Sequence, residues 1–386
     1  MHTHHYYHSM IYFLHGHKRL SELYSVMGIR GFAISMVQLF LPIYIYLLRN
    51  SIADVLLFFL FTCLSLIIFF PLAGYIASRV GNMHMALISA PLGIIFFMAI
   101  YFFNPLEIGL IPLGILLGAF DSFFWVFFHG DFSKFSDKKI ISKEVGGWRL
   151  FYGAAHIVGP FVGGAIIAFF SFHILFLLVA ILLLIAPFPL LFTKDVKQKT
   201  KFSFNELFSR EHLRSAPAYI GHGAAVGSTM MVWPLFLFFI IPDFFEIGSM
   251  SLAINILNIL VVVLVGLYAA RIGKKRLVRL GGLLFGISIA VRAFVRLPIQ
   301  AFAAWAFGGI SFPMAIIPME GMTYSRAKRE NIMELFSFRE WMLSIGRMLM
   351  IAILFFALIY APDLAGAFTY TLLAGGLLSM LMGTMK

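Results

Sequence analysis

Gly74-Tyr75-Ile76-Ala77-Ser78-Arg79-Val80-Gly81 closes one long apolar run and opens onto another. At a distance of 192 positions, Gly266-Leu267-Tyr268-Ala269-Ala270-Arg271-Ile272-Gly273 does the same, followed by Lys274-Lys275-Arg276. Gly, Arg and Gly recur at identical spacing, half a chain apart in 386 residues. A period of that length signals a duplicated unit rather than a local motif. Weaker echoes follow, His129-Gly130 against Glu320-Gly321 and Gly147-Trp148 against Glu340-Trp341.

The runs around these segments set the fold class. Of all residues 61% are apolar and only 12% charged, against about 45–50% and 25% in soluble domains. Too few charges remain to cover a water-facing surface, and lipid is the solvent that fits. A hydrocarbon core of about 30 Å takes about 20 apolar residues per helix. Twelve stretches qualify, at 29–48, 55–76, 84–103, 106–128, 149–170, 172–192, 216–240, 247–269, 277–297, 299–322, 341–361 and 364–384. Ile174 to Ala186 is apolar at every position, which excludes the alternating pattern of a membrane β-barrel. The expectation is an all-α integral membrane protein of twelve helices in two six-helix repeats. Residues 29–193 and 216–386 form the bundles, 194–215 the linker, and 1–28 a leading segment.

Charge sets the orientation. With both termini in the cytoplasm, 24 of the 29 Lys and Arg fall in cytoplasmic segments, as the positive-inside tendency requires. The net charge of +12 is then topology, and nucleic acid, which is bound by basic polar domains, is not an expected partner. Cys63 is the sole cysteine, so no internal disulfide forms, and no Cys/His spacing matches a zinc site. The leading segment holds His2, His4, His5, His8, His15 and His17; without fixed geometry it is read as a tail and not as a metal site. It lacks the apolar core and small-residue cleavage site of a signal peptide. No cofactor and no ATP-binding loop are expected.

At this point the chain resembles the major facilitator superfamily, whose second and third helices are joined by Gly-x-x-x-Asp-Arg-x-Gly-Arg/Lys-Arg/Lys, with a degenerate copy between the eighth and ninth. Gly74, Arg79 and Gly81 match the first copy, and Gly266, Arg271 and Gly273 the second. Ser78 and Ala270 stand where the family has its acid, and Asn82-Met83 where it has its first basic pair. The resemblance implies that the charge latch built on that acid is missing. Gly159-Pro160-Phe161-Val162-Gly163-Gly164 in the fifth span resembles the core of the family's exporter motif, which also reads as a close-packing face. The resemblance further implies that helices three, six, nine and twelve form an outer support around a cavity lined by the rest.

Ionisable groups in hydrocarbon cost about 2.5–3.5 kcal/mol each on insertion scales and therefore mark protein interiors or wet cavities. Asp121, about 20 Å into the fourth span at 1.5 Å per residue, is the expected proton-coupling group, with His156 beside it as second candidate; a structural carboxylate and a core histidine are the alternatives. Gln38, Tyr44, Trp125, His222, Trp233, Asn255 and Asn258 are candidates for lining the cavity. Glu320 and Arg347 lie near the same end of adjacent spans and are expected to pair as a gate or a brace. Arg292 is expected to snorkel to the surface beside Arg296. Pro42, Pro234, Pro313 and Pro318 mark helices able to bend. The resulting expectation is a monomeric, non-enzymatic, multi-pass carrier in the cell membrane, in contact with lipid, moving a small neutral or amphipathic solute with protons, export being the first reading. Sugar or metabolite uptake, a transport-inactive receptor or scaffold, and an intramembrane lipid enzyme are the alternatives.

Overall fold

The computed structural model describes residues 18–103, 109–136, 141–192, 202–327 and 332–385. The histidines of the leading segment and linker residues 194–201 lie outside the described residues, as does the Arg271 side chain. Helices α1 (Lys18–Gln38) and α2 (Leu41–Arg49) make the first pass. Five follow: α3 (Ile52–Val80), α4 (Asn82–Tyr101), α5 (Leu110–Phe135), α6 (Ile141–Phe169) and α7 (Phe172–Ile185). The seventh pass is α8 (Ala216–Gly227), a π-helical turn Ser228–Val232 and α9 (Trp233–Ile240). The remaining five are α10 (Phe244–Ile272), α11 (Lys274–Arg292), α12 (Pro298–Ala327), α13 (Ile332–Tyr360) and α14 (Leu364–Ser379). Among the described residues, ten of the twelve passes are by themselves long and apolar enough to cross a membrane. α10 is apolar over Phe244–Ile259, and α11 opens on the basic Lys274-Lys275-Arg276.

The repeat is visible in the backbone. Gly81 ends α3 at φ 102° and Gly273 ends α10 at φ 90°. A side chain in that region of backbone space costs on the order of 1–3 kcal/mol, so glycine recurs because the same tight turn recurs. Both opening passes also break at equivalent places. The first interrupts at Leu39 and Phe40 before Pro42, the seventh at the π-turn before Pro234, again 192 positions on. Proline at the start of a helix needs no N–H partner, so α2 and α9 restart there. Pro313 and Pro318 sit inside α12, which stays continuous.

Several helices run further than hydropathy suggests, all toward the end that carries the Gly81 and Gly273 turns, here called the basic end. α1 starts at 18 rather than 29, α5 reaches 135 rather than 128, α6 starts at 141 and α13 at 332. The extra turns carry Arg19, Glu22, Asp131, Glu144 and Glu334, all buried. Arg19 of α1 binds Asp131 of α5 at 2.7 Å and the Glu334 carboxylate accepts from the Ser203 N–H at 2.8 Å, so segments that read as loops by composition are packed helix.

Within the first half of the chain α1 packs on α6, α3 on α5 and α4 on α7; within the second α8 packs on α13, and α11 on α12 and α14. Contacts of α6 with α10 and α12, and of α3 with α13, join the halves. The Gly-Pro-x-x-Gly-Gly segment makes two of these approaches possible. A Cβ on Gly159 would strike Ser35 and one on Gly163 the Met36 carbonyl, both on α1. Gly164 faces the Phe244 carbonyl on α10, and Gly248 of α10 faces the Pro160 carbonyl.

Candidate functional site

A cavity of about 220 Å³ lies between the halves, enclosed by α1 and α6 of the first and by the α8–α9 break, α10, α11 and α12 of the second. Gln38 and His156 reach it from the first half, Asn255, Asn258 and Arg292 from the second, with Trp305, Phe285 and Phe312 as apolar wall. Four of the sequence candidates are thus brought together. Asn255 and Asn258 are three apart on α10 and share its inner face. The Asn255 Nδ2 donates to the His156 carbonyl at 2.9 Å, tying α10 to α6 across the halves. His156 directs Nδ1 at the Tyr152 carbonyl, 3.1 Å away. Its Nε2, the Asn258 Oδ1 and the Arg292 Nε and Nη1 are buried with no hydrogen-bond partner among the described residues. Buried polar atoms are normally satisfied, and these unpartnered ones gather around a single cavity. Gln38 meets Met230, its repeat equivalent 192 positions on, through Nε2 and Sδ.

Arg292 corrects two expectations. It is 1% exposed and does not snorkel; its guanidinium lies 4.9 Å from the centre of the Trp233 ring. α11 therefore lines the cavity and is not only outer support, because its last turn faces α9 and α12 and away from lipid. Trp233 is buried against Trp305 at 6.2 Å and acts on the cavity through Arg292. Three other candidates lie elsewhere. Tyr44 is packed between Phe172 and Phe176 at the opposite end. His222 is buried beside Phe312 without lining the cavity. Trp125 stacks on His129, 5.3 Å away, toward the basic end.

The basic end holds a set of ion pairs. Arg149 of α6 grips Glu320 of α12 with both ends of its guanidinium, Nε to Oε2 at 2.6 Å and Nη2 to Oε1. Arg339 of α13 stands 3.7 Å from the same carboxylate. Arg347 instead pairs with Glu340 one helix turn pair below it, at 2.7 Å. The expected Glu320–Arg347 pair is not formed, because α6 and α13 extend further than their apolar runs and bring closer partners. Asp121 binds Arg30 of α1 at 2.5 Å, with its carboxylate 33% exposed and outside the cavity wall. The 29–48 span put Arg30 at a helix end; since α1 begins at Lys18, Arg30 is mid-helix and meets α5. His129 accepts or donates a 2.6 Å hydrogen bond with Tyr324 and is sandwiched between Trp125 and Phe336, the latter at 3.9 Å. The repeat had singled out His129 and Glu320, and both lie where the halves meet.

Where the sequence led the family's latch to be absent, Ser78 turns its hydroxyl back to the Tyr75 carbonyl at 2.7 Å, and Arg79 lies over the Tyr75 ring. At this end Arg149–Glu320 and His129–Tyr324 join the two halves. The profile of the Major Facilitator Superfamily matches residues 23–244, more than half of the chain. The chain belongs to this superfamily. As a superfamily member it is a multi-pass protein of the membrane with a transporter fold. An uncharacterized protein of Bacillus subtilis, YqgE, is 23% identical over 368 residues, covering 89% of this chain and 83% of its own. The crystal structure of the human organic anion transporter MFSD10 superposes with a TM-score of 0.70 at 11% identity, over 96% of this chain and 99% of that one. At that identity the likeness is one of fold.

Proposed function

We propose that this superfamily member is a monomeric, proton-coupled secondary transporter of the cell membrane that exports a small amphipathic solute by alternating access. One observation carries the reading: the cavity with unsatisfied polar atoms is made by both halves at once, so rocking of one half against the other opens it to either side and disassembles it. Support comes from the two different closures that flank it, ion pairs toward the basic end and aromatic contacts toward the other. By the positive-inside tendency the basic end faces the cytoplasm. Asp121 is the coupling group in this scheme. Its Arg30 partner is removable charge compensation, so that a proton on the carboxylate and the ion pair with Arg30 are alternative states tied to the position of α1 against α5.

The experiment is reconstitution into liposomes with an imposed pH gradient, reading solute-dependent proton movement with an internal pH dye. Wild-type protein is expected to give gradient-driven accumulation, and Asp121→Asn to lose accumulation while keeping passive exchange. Accumulation that survives in Asp121→Asn removes Asp121 from coupling. Absence of any flux in wild type would favour the receptor or scaffold alternative.

A further inference from the structure

We propose that Arg292 is the anchor for an anionic headgroup, and that the cavity takes small organic monoanions, a carboxylate or sulfonate on an apolar or aromatic body. The proposal rests on the transporter reading for the cavity's purpose, but its evidence is local. Arg292 is almost completely buried, lines the cavity, and leaves Nε and Nη1 without a hydrogen-bond partner among the described residues. Among the described residues no Asp or Glu lines the same cavity. A guanidinium never sheds its proton under ordinary conditions, so the cavity holds a full positive charge that the protein itself does not neutralise.

Among the described residues the compensation on hand is the Trp233 face, and a ring quadrupole offsets only part of the cost of taking a cation out of water. Burying a charge without a counter-ion is otherwise rare. The planar fork of Arg suits two oxygens of a carboxylate or sulfonate. Gly308 faces the guanidinium so closely that a Cβ there would collide with Nη2; the glycine leaves the head of Arg292 room to sit at the cavity wall. Among the described residues the lining holds one Arg and no second Lys or Arg, which sets the charge of the ligand near −1 and disfavours polyphosphates. Trp305, Phe285 and Phe312 supply the wall for an apolar body, while His156 and Asn258 offer a donor or acceptor to a second polar group.

The test uses the purified full-length protein and the probes benzoate, phenylacetate and hexanoate beside their uncharged amides and benzyltrimethylammonium, read by thermal shift and by equilibrium binding. The acids are expected to raise Tm and bind, the amides and the cation not. Arg292→Lys is expected to keep binding weakened several-fold, and Arg292→Gln to lose at least about tenfold, the worth of a hydrogen-bonded charge. Should Arg292→Gln fold poorly, Gly308→Ala retains the charge while displacing the head and is expected to weaken acid binding with the amides unaffected. Equal binding of amides or of the cation overturns the proposal, as does acid binding that persists in Arg292→Gln, or no response to any acid in wild type. Flux of labelled benzoate into liposomes separates the two readings. Acid binding without flux leaves the anchor standing and defeats the transporter; flux of neutral solutes alone does the reverse.

Discussion

The two ends of the interface between the halves are closed by different physics. At the basic end charged and polar groups cross it: Arg149 to Glu320, His129 to Tyr324, and the Trp341 indole to the Ile67 carbonyl at 2.7 Å. At the opposite end, among the described residues, ring edges and close backbones cross it: Tyr46 on Phe239, Phe40 and Phe172 on Phe244, and Gly164 against the Phe244 carbonyl. In lipid, apolar contacts lack a hydrophobic drive and hold by shape, so they part and re-form at small cost. Parting the Arg149–Glu320 contact costs two charge-assisted hydrogen bonds at once and leaves the carboxylate only the longer Arg339 contact. The first closure is therefore all-or-none and the second graded.

Arg149→Ala tests the contrast most severely. It is expected to cost about 3–5 kcal/mol at the basic end by removing two charge-assisted hydrogen bonds and leaving Glu320 with the longer 3.7 Å contact to Arg339 alone. Cys63, the sole cysteine and buried on α3, is a native reporter: its labelling by a membrane-impermeant maleimide should rise by tenfold or more. Removing both partners should recover part of the loss, and a double variant as damaged as the single would show that the pair is not the closure. Gly164→Ala forces a methyl into the Phe244 carbonyl and is expected to lower stability by about 1–3 kcal/mol. Its Tm should fall while Cys63 labelling stays at the wild-type rate; increased labelling would mean the two ends are not separable. Smallest is Tyr46→Leu, expected to lose about 0.5–1.5 kcal/mol of ring contact and to speed exchange of solute from the opposite side less than threefold. A large effect there would erase the distinction between graded and all-or-none.

The sequence carried the architecture because both of its signals are one-dimensional. Apolar runs count passes, and Gly81 and Gly273 recur because one turn geometry demands them. It also brought out Gln38, His156, Asn255 and Asn258, polar residues in the middle of apolar runs where no bulk composition hides them. It missed Arg30, Arg149 and the inward turn of Arg292 for a common reason. Hydropathy averages around a helix and cannot tell a basic residue facing water from one facing another helix, so Lys134 to Arg149 reads as a loop although α6 is helical from Ile141. Pairing is harder still: Glu320 takes Arg149, 171 positions away, which no local spacing announces.

The touch between Gln38 and Met230 has a further consequence. Equivalent positions of a repeat can meet only on or beside the axis that relates the two copies, and a point on that axis is the one place a symmetric exchange of the copies leaves unmoved. Under the proposed rocking of the halves this contact serves as the fulcrum, and a thioether, soft and free to rotate about three bonds, is a bearing material that can turn under load without letting go.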